Sequence, residues 1–213
     1  GMDSADNGQW HGGLERELTA TAAWSRMLAG NHRFAEGKAE HPWQDRETRE
    51  SLIDVQTPDA AVLSCSDSRV PPEIIFDEGL GDLFTIRSAG QTLDDAVVSS
   101  IEFALNALHV SLIVVLGHQN CGAVAAAVKE LETLDHACDS DSIIVRSVGA
   151  SVEQARQAEL DTPQDFERVH VARTIEELVS RSQDIRRALA QEKVMIVGAR
   201  YKLTTGNVEV LSF

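Results

Sequence analysis

The chain has 213 residues with 19 Lys+Arg against 34 Asp+Glu, a formal charge of −15. Such acidity repels phosphate, which argues against nucleic acid and against an anionic membrane surface as partners. Hydrophobic residues make up 43% and charged residues 25%, an ordinary balance for one globular domain, and no apolar run approaches the ~18 residues of a membrane span.

Residues 1–13 are polar and Gly-rich and read as a disordered start without a signal peptide; Gly1 ahead of Met2 is set aside as a cloning remnant. From 14 to 37, Leu14, Leu18, Ala22, Trp24, Met27, Leu28 and Phe34 recur at helical spacing, with Gly37 as the stop. A short helix is expected over 45–54. The run AAVLSCS (60–66) after Pro58 predicts a buried strand. Pro71 and Pro72 open a short helix to about Phe76. A second strand is expected at 82–87 and a helix at 93–108, with Val97, Ile101, Ala104, Leu105 and Leu108 on one face. The segment 111–117 is apolar almost throughout, as parallel strands buried on both faces are. Helices follow at 123–134, 143–159 and 164–191, then a fourth strand at 193–201. A Thr-Gly-Asn turn leads to VEVLSF, an antiparallel edge strand.

Strands alternating with helices specify a single α/β domain. Its sheet is expected to be mostly parallel: four parallel strands plus the antiparallel edge, flanked by helices. Residues 14–54 form an N-terminal helical arm and 55–213 the α/β core. Sites in such sheets form at the carboxyl ends of strands. That rule selects the loops 65–69, 87–91 and 117–122.

Two of these loops carry metal-type residues. Cys65 and Asp67 lie in the first, and His118-x-x-Cys121 lies in the last. Zinc takes S and N ligands in a tetrahedron, and a Cys2His set leaves one position open. Buried cysteine is also commonly inert, so spacing alone leaves a metal site and plain core thiols as two open readings. Cys138 sits in an acidic segment without a partner at ligand spacing. His11, His32, His41, His109, His136 and His170 have no neighbouring ligand pattern. Three cysteines, an odd count, do not make a disulfide framework, and a reducing cytoplasm is the expected compartment.

The segments CSDSRVPPEIIFDEGLGDLFTIRSAG (65–90) and GHQNCGAV (117–124) closely resemble the two signatures of the β-class carbonic anhydrases. The similarity runs from about residue 21 to 213 and includes NHRFAEG, IEFAL and GARYKLTTGNV. The resemblance implies one Zn2+ per chain on Cys65, His118 and Cys121. It implies reversible hydration of carbon dioxide to bicarbonate, with Asp67 and Arg69 as the catalytic dyad. Asp67, held by Arg69, would accept a hydrogen bond from the activated water; in the family it can instead take the fourth zinc position and close the site. Gln56 matches a substrate-donating glutamine of the plant-like branch, and Gly122 supplies a backbone N–H beside the zinc. Phe84 and Phe103 match aromatic positions of an apolar pocket that the family forms across a dimer interface. The N-terminal helix would lie on the partner subunit of a homodimer or tetramer. Another branch binds regulatory bicarbonate through a tryptophan, an arginine and a tyrosine. Val62 replaces that tryptophan here, although Arg87 and Tyr201 match the others, so no such site is expected. Gln91 stands where asparagine or histidine is frequent. Two rival functions remain: hydrolysis of carbon disulfide or carbonyl sulfide on the same fold, and a non-catalytic zinc or redox-sensing protein using its thiols.

Overall fold

A computed structural model describes residues 4–211, and side chains from residue 19 onward. Eight helices and five strands are seen among them. The helices are α1 (Ser4–Ala35), α2 (Arg46–Ser51), α3 (Pro72–Ile75), α4 (Asp95–Asn106), α5 (Gly122–Glu130), α6 (Ile143–Gln157), α7 (Pro163–Arg181) and α8 (Gln183–Ala190). The strands are β1 (Ala60–Cys65), β2 (Leu83–Ser88), β3 (Leu112–His118), β4 (Met195–Tyr201) and β5 (Val208–Leu211). Sheet order is β2-β1-β3-β4-β5. The first four strands run parallel, and β5 is antiparallel to β4. This is the single α/β domain that the alternation of elements predicts.

Side chains alternate across a strand, and the apolar runs fill both faces. Val62, Leu112, Val114 and Leu116 point to one side, against Met27 of α1, Val124 of α5 and Val148 and Val152 of α6. Leu63, Ile113 and Val115 point to the other, against Ile101 of α4, Leu178 of α7 and Ile185 of α8. No helix among the described residues is long and apolar enough to cross a membrane.

Most elements match expectation to within about three residues at each end, and three differences are larger. Helix α1 begins at Ser4, inside the stretch expected to be disordered; residues 1–3 lie outside the described residues. Gly12 and Gly13 weaken the local signal there, but propensity is a weak prior. The single helix expected over 164–191 is two helices. The chain leaves helical geometry at Ser182 (φ −118°, ψ 107°). The Ser182 hydroxyl donates to Glu102 at 2.6 Å and accepts the Ile185 N–H at 3.1 Å, capping α8. Helix α5 ends at Glu130, not 134.

The described side chains of α1 pack on the chain's own core. Asn31 is buried and donates to the carbonyls of Ile75 (2.9 Å) and Gly206 (2.8 Å), while its carbonyl accepts the Val208 N–H (2.8 Å). One side chain thus ties α1 to α3 and β5. A β-carbon on Gly30 would sit 1.8 Å from the Phe76 carbonyl oxygen, so this close helix approach requires glycine.

Asp77 organises the same corner. It accepts from Arg33 Nε (2.7 Å) and from the backbone N–H groups of Glu40 and His41 (2.9 Å each). Burial alone would raise its carboxyl, yet the N–H donors and Arg33 outweigh that and hold it below the usual carboxylate range. A lowered folded pKa contributes stability above the unfolded value of ~3.9 and loses it as pH falls. Asp77→Asn is therefore expected to cost about 2–4 kcal/mol near neutral pH. Urea unfolding at pH 7 and at acid pH checks this, with the difference from the parent shrinking in acid.

Candidate metal centre

The parallel sheet delivers three loop starts to one place. Cys65 is the last residue of β1, His118 the last of β3, and Cys121 the residue that opens α5. All three are buried. One ligand atom from each lies within 4.8 Å of the others. The His118 ring is oriented by its own loop: Nδ1 lies 2.8 Å from the Gln119 carbonyl. A carbonyl can only accept, so Nδ1 carries the proton and Nε2 presents a lone pair. That Nε2 is buried with no hydrogen-bond partner. A buried orphan acceptor facing two thiols is costly unless a cation fills the gap. The donor set, two sulfurs and one imidazole, is the one zinc favours. The residues present therefore fit the metal that the sequence implies.

The thiols themselves are set up as metal ligands. The hydrogen bond from Cys121 pulls the Cys65 thiol well below the usual thiol range, against the cost of burial, with help from the neighbouring His118 and the backbone N–H groups of Gly90 and Asp67. Cys121 is pushed up, first by the hydrogen bond its thiol donates to Cys65, then by burial and by repulsion from that neighbouring thiolate. A divalent cation held by Cys65, Cys121 and His118 would offset that repulsion and favour both thiols as thiolates. The N–H groups of the first turn of α5 favour the charged form of Cys121.

Asp67 and Arg69 sit at the rim. Arg69 donates to the carboxylate through Nη2 (2.7 Å) and Nε (3.0 Å), a bidentate pair, and its backbone N–H adds a third bond at 2.8 Å. Arg69 also donates to the Asn120 carbonyl at 3.2 Å, which links the two signature loops. The arginine beside it holds the Asp67 carboxyl far below the usual range. Asp67 Oδ2 lies 3.9 Å from His118 Nε2, adjacent to the ligands but paired outward with Arg69.

Arg87 was considered in the sequence only for a bicarbonate site. It instead clamps the first loop, donating to the carbonyls of Cys65 (2.9 Å) and Asp67 (2.6 Å). Val62 is fully buried in the core, and Tyr201 packs edge-on against Phe34 with centroids 6.4 Å apart. Gly122 opens α5 beside Cys121, and a cleft of ≈ 810 Å³ begins there, lined also by Asn120, Val124, Phe166 and Glu167.

The remaining sequence candidates lie elsewhere in the chain. Gln56 lines a separate cavity with Leu52, Ile53, Leu80 and Leu108. Phe84 pairs with Phe103 at 5.9 Å on the α4 side of the sheet. Phe84 stands four residues before Ser88, the β2 partner of Cys65, hence about 13 Å away along the strand. Gln91 is buried, and its side-chain oxygen has no partner.

Comparison with known proteins agrees with this geometry. The family model described as carbonic anhydrase matches residues 60–208. A carbonic anhydrase of Mycolicibacterium smegmatis is 44% identical over 191 residues, covering 90% of this chain and 93% of the relative. Carbonic anhydrase 2 of Mycobacterium tuberculosis is 43% identical over 187 residues, covering 87% and 89%. In fold, the solved β-carbonic anhydrase CcaA superposes with a TM-score of 0.69 at 24% identity, covering 89% of this chain and 95% of that one. With a Cys-His-Cys ligand set at the strand ends, this sheet topology and relatives matched over most of their length, the chain belongs to the β-class carbonic anhydrase family.

Proposed function

We propose that this chain interconverts carbon dioxide plus water with bicarbonate plus a proton, holding zinc on Cys65, His118 and Cys121. The observation that carries the reading is the orphaned Nε2 of His118 turned toward two buried thiols. When bound, zinc supplies a Lewis acid that brings the pKa of a water from 15.7 down toward neutrality. The chain's own residues do the rest. Asp67, kept ionised by Arg69, can only accept a hydrogen bond. It would accept a hydrogen bond from the remaining O–H of the activated water, with no transfer of that proton, and so turn the lone pair toward carbon dioxide. Arg69 holds the carboxylate outside the ligand set, which supports the open arrangement. Gly122 starts α5 and lines the cleft beside Cys121, where the N–H groups of the helix start would favour the negative charge of bicarbonate.

The test is stopped-flow carbon dioxide hydration from about pH 6.5 to 9. Two thiolates donate more charge than imidazoles and leave the water less acidic than in an all-histidine site. The expected rate is zinc-dependent and rises with pH. No rate at any pH, with zinc present, overturns the reading.

A second copy completes the substrate pocket in this reading. Ile53, Val55, Leu80 and Phe103 are large apolar side chains left exposed, and a contiguous patch of that kind marks an interface. Gln56, Phe84 and Phe103 would then serve the partner's metal rather than their own. Light scattering is expected to give at least two chains of 23.2 kDa per particle; a monomer at working concentration would remove these three residues from the pocket. The three cysteines are free thiols, which supports work in a reducing cytoplasm.

A further inference from the structure

We infer that His170 is a positioning residue for the metal thiolate: it holds the Gly90 carbonyl, aims the Gly90 N–H at Cys65 Sγ, and so sets how strongly Cys65 donates to the metal. The inference rests on the metal reading above.

His170 and Ser151 are both buried, on α7 and α6. Four hydrogen bonds run in sequence. Arg173 Nη1 donates to Ser151 Oγ at 2.9 Å. Ser151 Oγ lies 2.7 Å from His170 Nδ1. His170 Nε2 lies 2.6 Å from the Gly90 carbonyl oxygen. The Gly90 N–H donates to Cys65 Sγ at 3.2 Å. The direction of the chain is fixed by what each group can do. The Gly90 carbonyl can only accept, so Nε2 carries the ring proton. Burial pushes the His170 imidazole down to about 4, so it is neutral and Nδ1 accepts. Ser151 Oγ already accepts a hydrogen bond from Arg173, which leaves its own hydroxyl proton to donate to Nδ1.

Gly90 needs such a brace. Its φ is +67°, and a β-carbon there would lie 2.9 Å from both Ala123 Cβ and Val148 Cγ2. Only glycine fits, and glycine is the least restrained residue. Thr92 and Ser88 tie the flanking turn through Thr92 Oγ1 to Ala89 and Ser88 Oγ to Thr92, but the Gly90 carbonyl itself is held by His170. An N–H···S bond draws charge off a metal thiolate, and groups that orient ligands in this way change metal affinity or activity by ~10–100-fold.

The experiment compares zinc affinity, by competition with a chromophoric chelator, and the absorption spectrum of the cobalt(II)-substituted full chain. In His170→Phe the expected result is ~10–100-fold weaker zinc binding, because Cys65 loses the N–H that aims its thiolate and this loss of orientation outweighs the extra charge left on sulfur. The thiolate-to-cobalt charge-transfer band should also move to longer wavelength, because a less hydrogen-bonded thiolate is easier to oxidise. His170→Gln, whose amide N–H can reach the Gly90 carbonyl, is expected to return both readouts toward the parent. If His170→Phe does not fold, Ser151→Ala carries the test, with a smaller shift in the same direction. An unmoved band and unchanged affinity in a folded His170→Phe, or in Ser151→Ala where that variant decides, overturns the inference. A parent protein with no thiolate–cobalt band fails before any variant is compared, and then the metal reading falls first.

Discussion

Replacing Cys65 by serine is expected to strip zinc from the purified protein and to lower kcat/KM for carbon dioxide hydration by ~10³-fold or more, because the Lewis acid that makes hydroxide available at neutral pH is lost. The expectation follows from the geometry of one buried atom. Cys65 Sγ receives the Gly90 N–H at 3.2 Å and shares its pocket with His118 and Cys121. A serine oxygen keeps the size and can accept the same N–H, so the fold should survive. It does not ionise as the thiol does, and its oxygen is a poor exchange for a soft thiolate ligand. The loss therefore falls on the metal and not on the core. Metal analysis alongside a thermal melt separates the two. Cys138→Ser is the companion control, since Cys138 is exposed and outside the ligand cluster; its zinc content and rate should match the parent. A Cys65→Ser protein that retains a full complement of zinc would remove Cys65 from the ligand set.

The same geometry explains what was legible in the sequence. The runs that became β1 and β3 are apolar apart from Ser64 and the Cys65 and His118 that end them, so periodicity and length sufficed to find them, and both are buried along their whole length. The resemblance named Cys65, His118 and Cys121, and parallel topology brings them together because it sets the ends of β1 and β3 side by side. Residues whose roles depend on distant partners were not legible. His170 had no ligand pattern nearby, because its partner is the Gly90 carbonyl, eighty residues away. Arg87 looked like an anion ligand, whereas its donors meet the carbonyls of Cys65 and Asp67 on the neighbouring strand end. The break at Ser182 was hidden for the same reason: the hydroxyl that caps α8 also answers to Glu102 on α4. Gln56, Phe84 and Phe103 came from resemblance, and one chain alone does not bring them to its metal centre.

Asp67→Asn is expected to lower kcat by ~10²–10³-fold while leaving zinc content at the parental level, the range for loss of one preorganised hydrogen bond at the reacting group. The carboxylate makes three bonds with Arg69 and none to a sulfur ligand, so the metal set does not depend on it. Its pKa is held far below the ordinary carboxylate range by Arg69. It is thus ionised at every pH where hydration is measured, and its own titration cannot produce the alkaline rise. That rise belongs to the metal-site water, so the midpoint of the profile should move little in Asp67→Asn although its height collapses. The amide breaks the mechanism in a specific way. It can turn an N–H toward the attacking water, where the carboxylate would only accept the water's O–H hydrogen bond, and it gives Arg69 a neutral partner in place of an anion. Arg69→Lys tests the second half of the argument. A point charge cannot reproduce the bidentate fork, so a smaller loss is expected than for Asp67→Asn, again with zinc retained. Equal rates in parent and Asp67→Asn would show that orientation of the water is achieved without the dyad. A loss accompanied by loss of zinc would move Asp67 from the dyad to the ligand set.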